Sequence, residues 1–389
     1  MNRFSVQHFI IIGLLFWGLP AMVVAGPPAL LYTIAAAIPV WLFSLNTSNI
    51  PTGSASSLRT LGPAATSILI GCALAYFAFD ALFGQQLLQT NLFLHGTTAV
   101  DRSVDQSLAG ESQGRGVAGL LGTILSLLAF SLIDVSLRAR RLGRWGLWTA
   151  ALLLIFYGIA ASRGAALIAI MVIVLGRTSN WRRIALAGGV ALALFFLASL
   201  ARGDFGNTGT PLAAAFEAPF FNLTMMLSKH CGNAPWYAYL GEFFKKFIPA
   251  FIYPKTVYSF NVETSYCIYP GADNTLTSIS IFTWLGEVFY YTPSILTAIS
   301  AGILLGALAR VVNRMLVKNE LVCARIALGI ACVVMLRSRT QDVLSFLIAQ
   351  VIFLLAWPHL CRLSVYLRHC VAQEPAAAAY PEQPGQEAR

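Results

Sequence analysis

The chain has 389 residues, of which 57% are hydrophobic and 11% charged, against about a quarter charged in ordinary soluble domains, so a water-soluble globular domain is excluded. The net charge of +10 does not point to nucleic acid, because the basic residues stand in short clusters between apolar runs, where they orient helices across a membrane. Apolar runs of roughly 17 to 25 residues, each able to cross ~30 Å of hydrocarbon as a helix, recur along nearly the whole length, and no separate soluble catalytic domain fits.

The start, MNRFSVQHFIIIGLLFWGLPAMVVAG, has a basic flank, an apolar run and small residues at Val23 and Ala25. It resembles a signal peptide in outline, and we read it as an uncleaved first helix. Spans follow near 8–25, 29–45, 61–83, 116–136, 145–162, 164–177, 184–201, 286–309, 321–337 and 342–358. The expected fold is therefore an all-α polytopic integral membrane protein of about ten transmembrane helices. Residues 1–373 form a single helical domain, and 374–389 form a disordered Ala- and Pro-rich cytoplasmic tail.

Two arginine clusters set the orientation. Arg138, Arg140, Arg141 and Arg144 fall in one inter-span segment, and Arg177, Arg182 and Arg183 in another two helices later, so both are cytoplasmic by the positive-inside rule. The same parity puts Arg3, Arg59, Arg310, Arg314, Lys318, Arg362 and Arg368 inside, with both termini. On the other face lie a loop at 84–115 and a long one at 202–285, whose length by itself points to a function. The middle of the long loop, APWYAYLGEFFKKFIPAFIYPK, mixes aromatics with Glu242, Lys245, Lys246 and Lys255 and predicts a short amphipathic helix in the membrane interface. No internal repeat is evident.

Seven cysteines are an odd number with no CxxC pair. Cys72, Cys323 and Cys332 fall inside spans as small apolar fillers, and Cys231 and Cys267, in the long loop, are the two that can pair with each other.

Against this topology three arginine sites sit on the wrong face: Arg163 in SRG, Arg202 in ARGDFG, and Arg337 with Arg339 in MLRSRTQD. Arginine is permanently charged and its planar fork suits bidentate binding of phosphate, so a diphosphate at the outer leaflet would satisfy several of them. Local pairing competes with that reading for Arg202 (with Asp204, two residues on) and for Arg339 (with Asp342, at helical spacing). Arg163 and Arg337 have no acid within four residues.

Carboxylates able to do acid–base work on this face include Glu217, Glu242, Glu263, Asp273 and Glu287. Glu287, in SIFTWLGEVFYYTP, is expected at the outer end of a spanning helix among aromatics. There partial burial would raise its pKa toward the range of a general base; a capping carboxylate that bonds the loop is the other role open to it. His230, in LSKHCGN, is a second candidate base, or a solvated loop histidine. Metal signals are weak: there is no HExxH and no His/Cys cluster at ligand spacing, and Asp101, Asp105 and Glu111 read as a soluble loop. With no P-loop and no nucleotide fingerprint either, no cofactor is indicated.

Four stretches resemble the bacterial O-antigen repeat-unit polymerases, the Wzy family. They are SRGA at 162–165, FIPAFIYPK at 247–255, LGEVFYY at 285–291, and the late pair Arg337 and Arg339 before a final apolar helix. The resemblance covers roughly residues 145–358 and departs at Thr256 and at Thr292-Pro293. It implies a multi-span, GT-C-like glycosyltransferase of the inner membrane, with a periplasmic active site. The growing glycan would pass from undecaprenyl diphosphate to the terminal hydroxyl of a second undecaprenyl-diphosphate-linked repeat unit, and a chain-length regulator is implied as partner. On that reading Arg163, Arg337 and Arg339 bind the diphosphate, with Arg202 and Lys255 as supporting cations. Glu287 is then the first candidate base and His230 the second, while Trp236, Tyr237 and Tyr239 stack on sugars or anchor the loop. An O-antigen ligase shares the donor and the long loop. A transporter of the lipid-linked unit would need charges along a path through the membrane, and mid-span charges are nearly absent, with Asp80 and Asp134 near helix ends.

Overall fold

The computed structural model describes residues 5–45, 71, 211–245, 260–268, 283–319, 321–337 and 339–377. Apart from Gly71, the expected spans from 61 to 201 and the loop at 84–115 lie outside them. In chain order the described helices are α1 (Val6–Gly18), α2 (Met22–Ala25), α3 (Pro27–Leu45), α4 (Pro211–Ser228), α5 (Trp236–Lys245), α6 (Phe260–Ile268), α7 (Trp284–Tyr290), α8 (Ser294–Lys318), α9 (Val322–Met335) and α10 (Thr340–Ala377). One parallel bridge joins β1 (Ala234–Pro235) to β2 (Tyr291–Thr292). Among the described helices α3, α8 and α10 as far as His359 are long and apolar enough to cross a membrane, and α1 and α9 are shorter apolar helices packed among them.

The helix directions can be read from close approaches. Gly302 of α8 lies against the backbone of Ala36, and a Cβ on Gly306 would stand 3.1 Å from Cα of Val40, so α3 and α8 run parallel, face to face. The spacing Gly302-x-x-x-Gly306 is what permits it, because two backbones approach this closely only where side chains are missing. A Cβ on Gly13 would stand 3.0 Å from Cα of Val333, and Gly329 lies against Phe9. Hence α1 and α9 are parallel too. The amide of Val6 donates to Oδ1 of Asn313 at 3.4 Å, which sets the start of α1 beside the end of α8, antiparallel to it. Two helices expected as spans two and eight thus run the same way, as an even separation requires.

Several boundaries differ from the sequence expectation, each for a stated reason. The first run breaks after Gly18, since Pro20 has no amide to donate to the carbonyl of Phe16, and α2 then ends at Gly26 with φ 70°. The run expected at 286–309 is two helices: Pro293, in extended conformation, separates α7 from α8, and α8 continues to Lys318. Glu287 therefore sits on a separate short helix and not on the end of a span. Among the described residues of the long loop lie α4, α5 and α6, of which α4 and α6 were not expected. α5 matches the amphipathic helix expected there, burying Tyr239 and Phe243 one turn apart and exposing Tyr237 and Phe244. At the other end α10 continues to Ala377, into the tail expected to be disordered from 374, although Pro375 in that stretch removes one amide donor.

Candidate functional site

The site is built where α7 closes one end of the bundle. Trp284 fastens this short helix twice: its amide donates to the carbonyl of Leu336 at the end of α9 (3.2 Å), and its indole Nε1 donates to the carbonyl of Leu14 in α1 (3.3 Å). With both ends of the contact made by rigid helices, α7 is buried nearly all round. Glu287, one turn after Trp284, is 1% exposed.

A carboxylate this deep needs donors, and the N-terminus of α10 supplies them. The first amides of a helix have no partner within it, and its dipole favours negative charge there. Oε2 of Glu287 accepts the amide of Thr340 at 2.8 Å, the hydroxyl of Thr340 at 2.5 Å and the amide of Gln341 at 3.4 Å. An oxygen receiving three donors is the carboxylate form. The Thr340 proton is therefore committed to Glu287, and the hydroxyl of Tyr239, 2.8 Å away, must be the one donating to Thr340. Gln341 Nε2 closes the network by donating to the carbonyl of Tyr239 at 3.1 Å. Burial, and then the charge of Glu287, push the Tyr239 phenol well above the usual tyrosine pKa. Of the two roles open to Glu287, capping is the one this geometry displays.

Arg339, just before α10, forks onto Asp342 through Nε (3.1 Å) and Nη2 (2.7 Å), the local pairing weighed for it above. Burial opposes its charge, but the carboxylates of Asp342 and Glu287 together outweigh burial and hold its pKa above the usual guanidinium value. Arg337 stands half-buried two residues earlier, where α9 ends. Tyr291 packs edge-on against Tyr239 with centroids 5.6 Å apart. Its phenol is raised by burial and by the charges of Glu287, Glu242 and Glu263, and lowered by Arg339, so it stands within the field of both ends of the site.

The second part of the site lies across the β1–β2 bridge. Cys231 and Cys267 form a disulfide with Cα atoms 5.8 Å apart, the pairing open to these two residues in the sequence. His230 is exposed and adopts φ 52°. It ends α4, with its own amide bonded to the carbonyl of Leu227 and the next amide to that of Met226, the paired bonds of a Schellman termination. Its position thus has a structural reason that is independent of proton transfer. Lys229 donates to the carbonyl of Ile268, a second strap between α4 and α6.

The fold brings Glu287, Arg339 and Arg337 to one end of the bundle, with His230 on the neighbouring disulfide-linked segment. Arg163, Arg202 and Lys255 lie outside the described residues. Tyr239, expected to stack on sugars or anchor the loop, turns its hydroxyl into the network and is fully buried, because Thr340 is its hydrogen-bond partner. Thr340 and Gln341 were missed, although a threonine opening an apolar helical run is a helix-start signal. Among the described residues no group of three metal-ligating side chains occurs. Compared with models of protein families, with curated proteins and with solved structures, the chain matches none.

Proposed function

We propose that the chain is an O-antigen repeat-unit polymerase of the inner membrane, moving the growing glycan from undecaprenyl diphosphate to a lipid-linked repeat unit at the periplasmic face. The observation that carries the reading is the meeting of LGEVFYY with the Arg337–Arg339 segment, two of the stretches on which the resemblance rests, through the Glu287–Thr340 bonds. Further support comes from the disulfide, which forms and persists in oxidising compartments such as the periplasm. It lies in the stretch that the arginine parity assigns to the outer face. The three apolar helices support a membrane location, and the parallel course of α3 and α8 agrees with the proposed parity.

In the reaction the acceptor hydroxyl attacks the anomeric carbon, the bond to the diphosphate oxygen breaks, and the hydroxyl proton leaves to a base. Negative charge grows on the leaving diphosphate, and preorganised cations stabilise it where it grows. Arg337 fills that role from the α9–α10 junction, joined by Arg163, Arg202 and Lys255 and by Arg339 through the part of its guanidinium that Asp342 leaves open. Glu287 holds the α10 N-terminus, and with it Arg339, in register; its service as base is a separate question that Glu287→Gln answers.

The test is complementation in cells deleted for the native gene. Polysaccharide limited to a single repeat unit on the lipid core without the gene, and long chains with it, is the expected result. Loss of the single-unit species as well would overturn the reading in favour of a ligase or a transporter.

A further inference from the structure

Beside the disulfide lies an open cleft of about 350 Å³, lined by Cys231, Gly232, Asn233, Glu263, Thr264 and Tyr290 together with Ala234 and Cys267. That is within the range of small-molecule pockets, at its lower end. Its walls are held rigidly. The disulfide joins the end of α4 to α6, Lys229 straps the same two elements, and the Ala234–Tyr291 bridge fixes the segment after Cys231. Gly232, at φ 130°, lies so close to Tyr290 that a Cβ would stand 2.8 Å from its Cα. A preformed cleft of this kind binds without first being ordered.

Its chemistry differs from that of the arginine end. Among the described residues the lining has a carboxylate (Glu263), a carboxamide (Asn233) and an aromatic wall at Tyr290, with no lysine or arginine. Glu263 and Asn233 are exposed, so their polar groups are open to a ligand. Thr264 is fully buried, with its hydroxyl donating to the carbonyl of Phe260 at 2.6 Å, so it shapes the wall and offers a ligand no open polar group. A phosphate would meet the Glu263 carboxylate there, and the nearby Lys229 turns its ammonium to the carbonyl of Ile268. A polyol finds an acceptor in Glu263 and both a donor and an acceptor in Asn233.

We propose that this cleft is a saccharide subsite, taking a sugar ring of the glycan while the arginines of the α9–α10 junction take the diphosphate. Tyr290 and Tyr291 separate the two ends: Tyr290 lines the cleft, and Tyr291 packs on Tyr239 in the Glu287 network. Glu287 lies one helical turn before Tyr290, about 5 Å along the axis, so α7 carries a residue of each end. What the sugar does there rests on the polymerase reading; the preference of the cleft for hydroxyl groups over phosphate does not.

The experiment uses the full chain in lipid nanodiscs and, as probe, the host strain's repeat-unit oligosaccharide freed from its lipid by mild acid, with binding followed by saturation-transfer NMR. Wild-type chain should bind it. Glu263→Ala and Asn233→Ala should each weaken binding, Glu263→Ala by about tenfold or more, as expected for a hydrogen bond to a charged group. Both residues are exposed, and an intact disulfide on a non-reducing gel verifies folding. Unchanged binding in both variants, no binding to the wild-type chain, or displacement of the sugar by inorganic pyrophosphate overturns the subsite. Polymer formation is scored separately in the deletion strain. Sugar binding that depends on Glu263 with no polymer from the wild-type gene would sink the polymerase reading and keep the cleft. Polymer from wild type and both variants, with unchanged binding, would sink the cleft and keep the polymerase.

Discussion

Glu287 and Thr340, 53 residues apart, share two hydrogen bonds through one carboxylate oxygen. This is the contact that sets the start of α10 against α7. It also aligns Tyr239, which reaches the same Thr340 hydroxyl from α5, so three separate stretches of the chain depend on one buried charge.

Glu287→Leu should therefore cost about 3 kcal/mol or more, since it strands the buried donors of Thr340 and Gln341. Glu287→Gln keeps an acceptor oxygen and should cost about 1 kcal/mol. Thermal unfolding of the detergent-solubilised chain measures both. If Glu287→Gln keeps its melting temperature yet polymer synthesis falls a hundredfold or more, proton transfer and not capping is its role.

The raised tyrosines give a pH dependence of definite sign. Below roughly pH 10 the phenols of Tyr239 and Tyr291 are protonated in the folded and the unfolded chain alike, and they add nothing to the slope. Above it the unfolded chain releases these protons while the buried phenols keep theirs. Stability then falls by up to about 1.4 kcal/mol per pH unit for each tyrosine. Tyr239→Phe and Tyr291→Phe should each flatten the fall between pH 10 and 11 in unfolding curves. A wild-type slope in both variants would contradict the assignment.

The Cys231–Cys267 link closes a loop with a sequence separation of 36, for which chain entropy alone contributes about 4 kcal/mol. Cys231→Ser or Cys267→Ser should make the 211–268 stretch protease-sensitive while the membrane helices stay inserted. Reduction of the wild-type chain should have the same effect, and thiol labelling of both cysteines without prior reduction would show that the bond is not made.

Gly302→Val should separate α3 from α8, because the added side chain meets the backbone of Ala36. Overpacking of this kind costs about 1–3 kcal/mol. A melting temperature equal to the wild type's would show that the two helices do not approach this closely.

Arg337→Ala and Arg163→Ala should abolish polymer in the deletion strain while membrane insertion persists, and Arg→Lys should fail at both positions if a bidentate fork is needed. Wild-type chain lengths in both alanine variants would end the diphosphate assignment.

Composition and periodicity determined the membrane class, the positions of α3, α9 and the membrane segment of α10, and the presence of a short amphipathic helix at α5. These depend on local apolar runs that a bilayer reads in the same way wherever they fall. The Cys231–Cys267 pairing was legible by elimination, once the other cysteines were assigned to spans or left without an obvious mate. Only the tertiary structure decided the rest. Pro293 could be seen, but that it cuts α7 away from α8 depends on Trp284 finding Leu336 and Leu14, residues from two other helices. The partner of Glu287 was equally hidden: a buried carboxylate takes whichever unpaired amides the fold delivers. The amides of Thr340 and Gln341 are made free by the start of α10, and they are brought within reach by packing and not by sequence spacing.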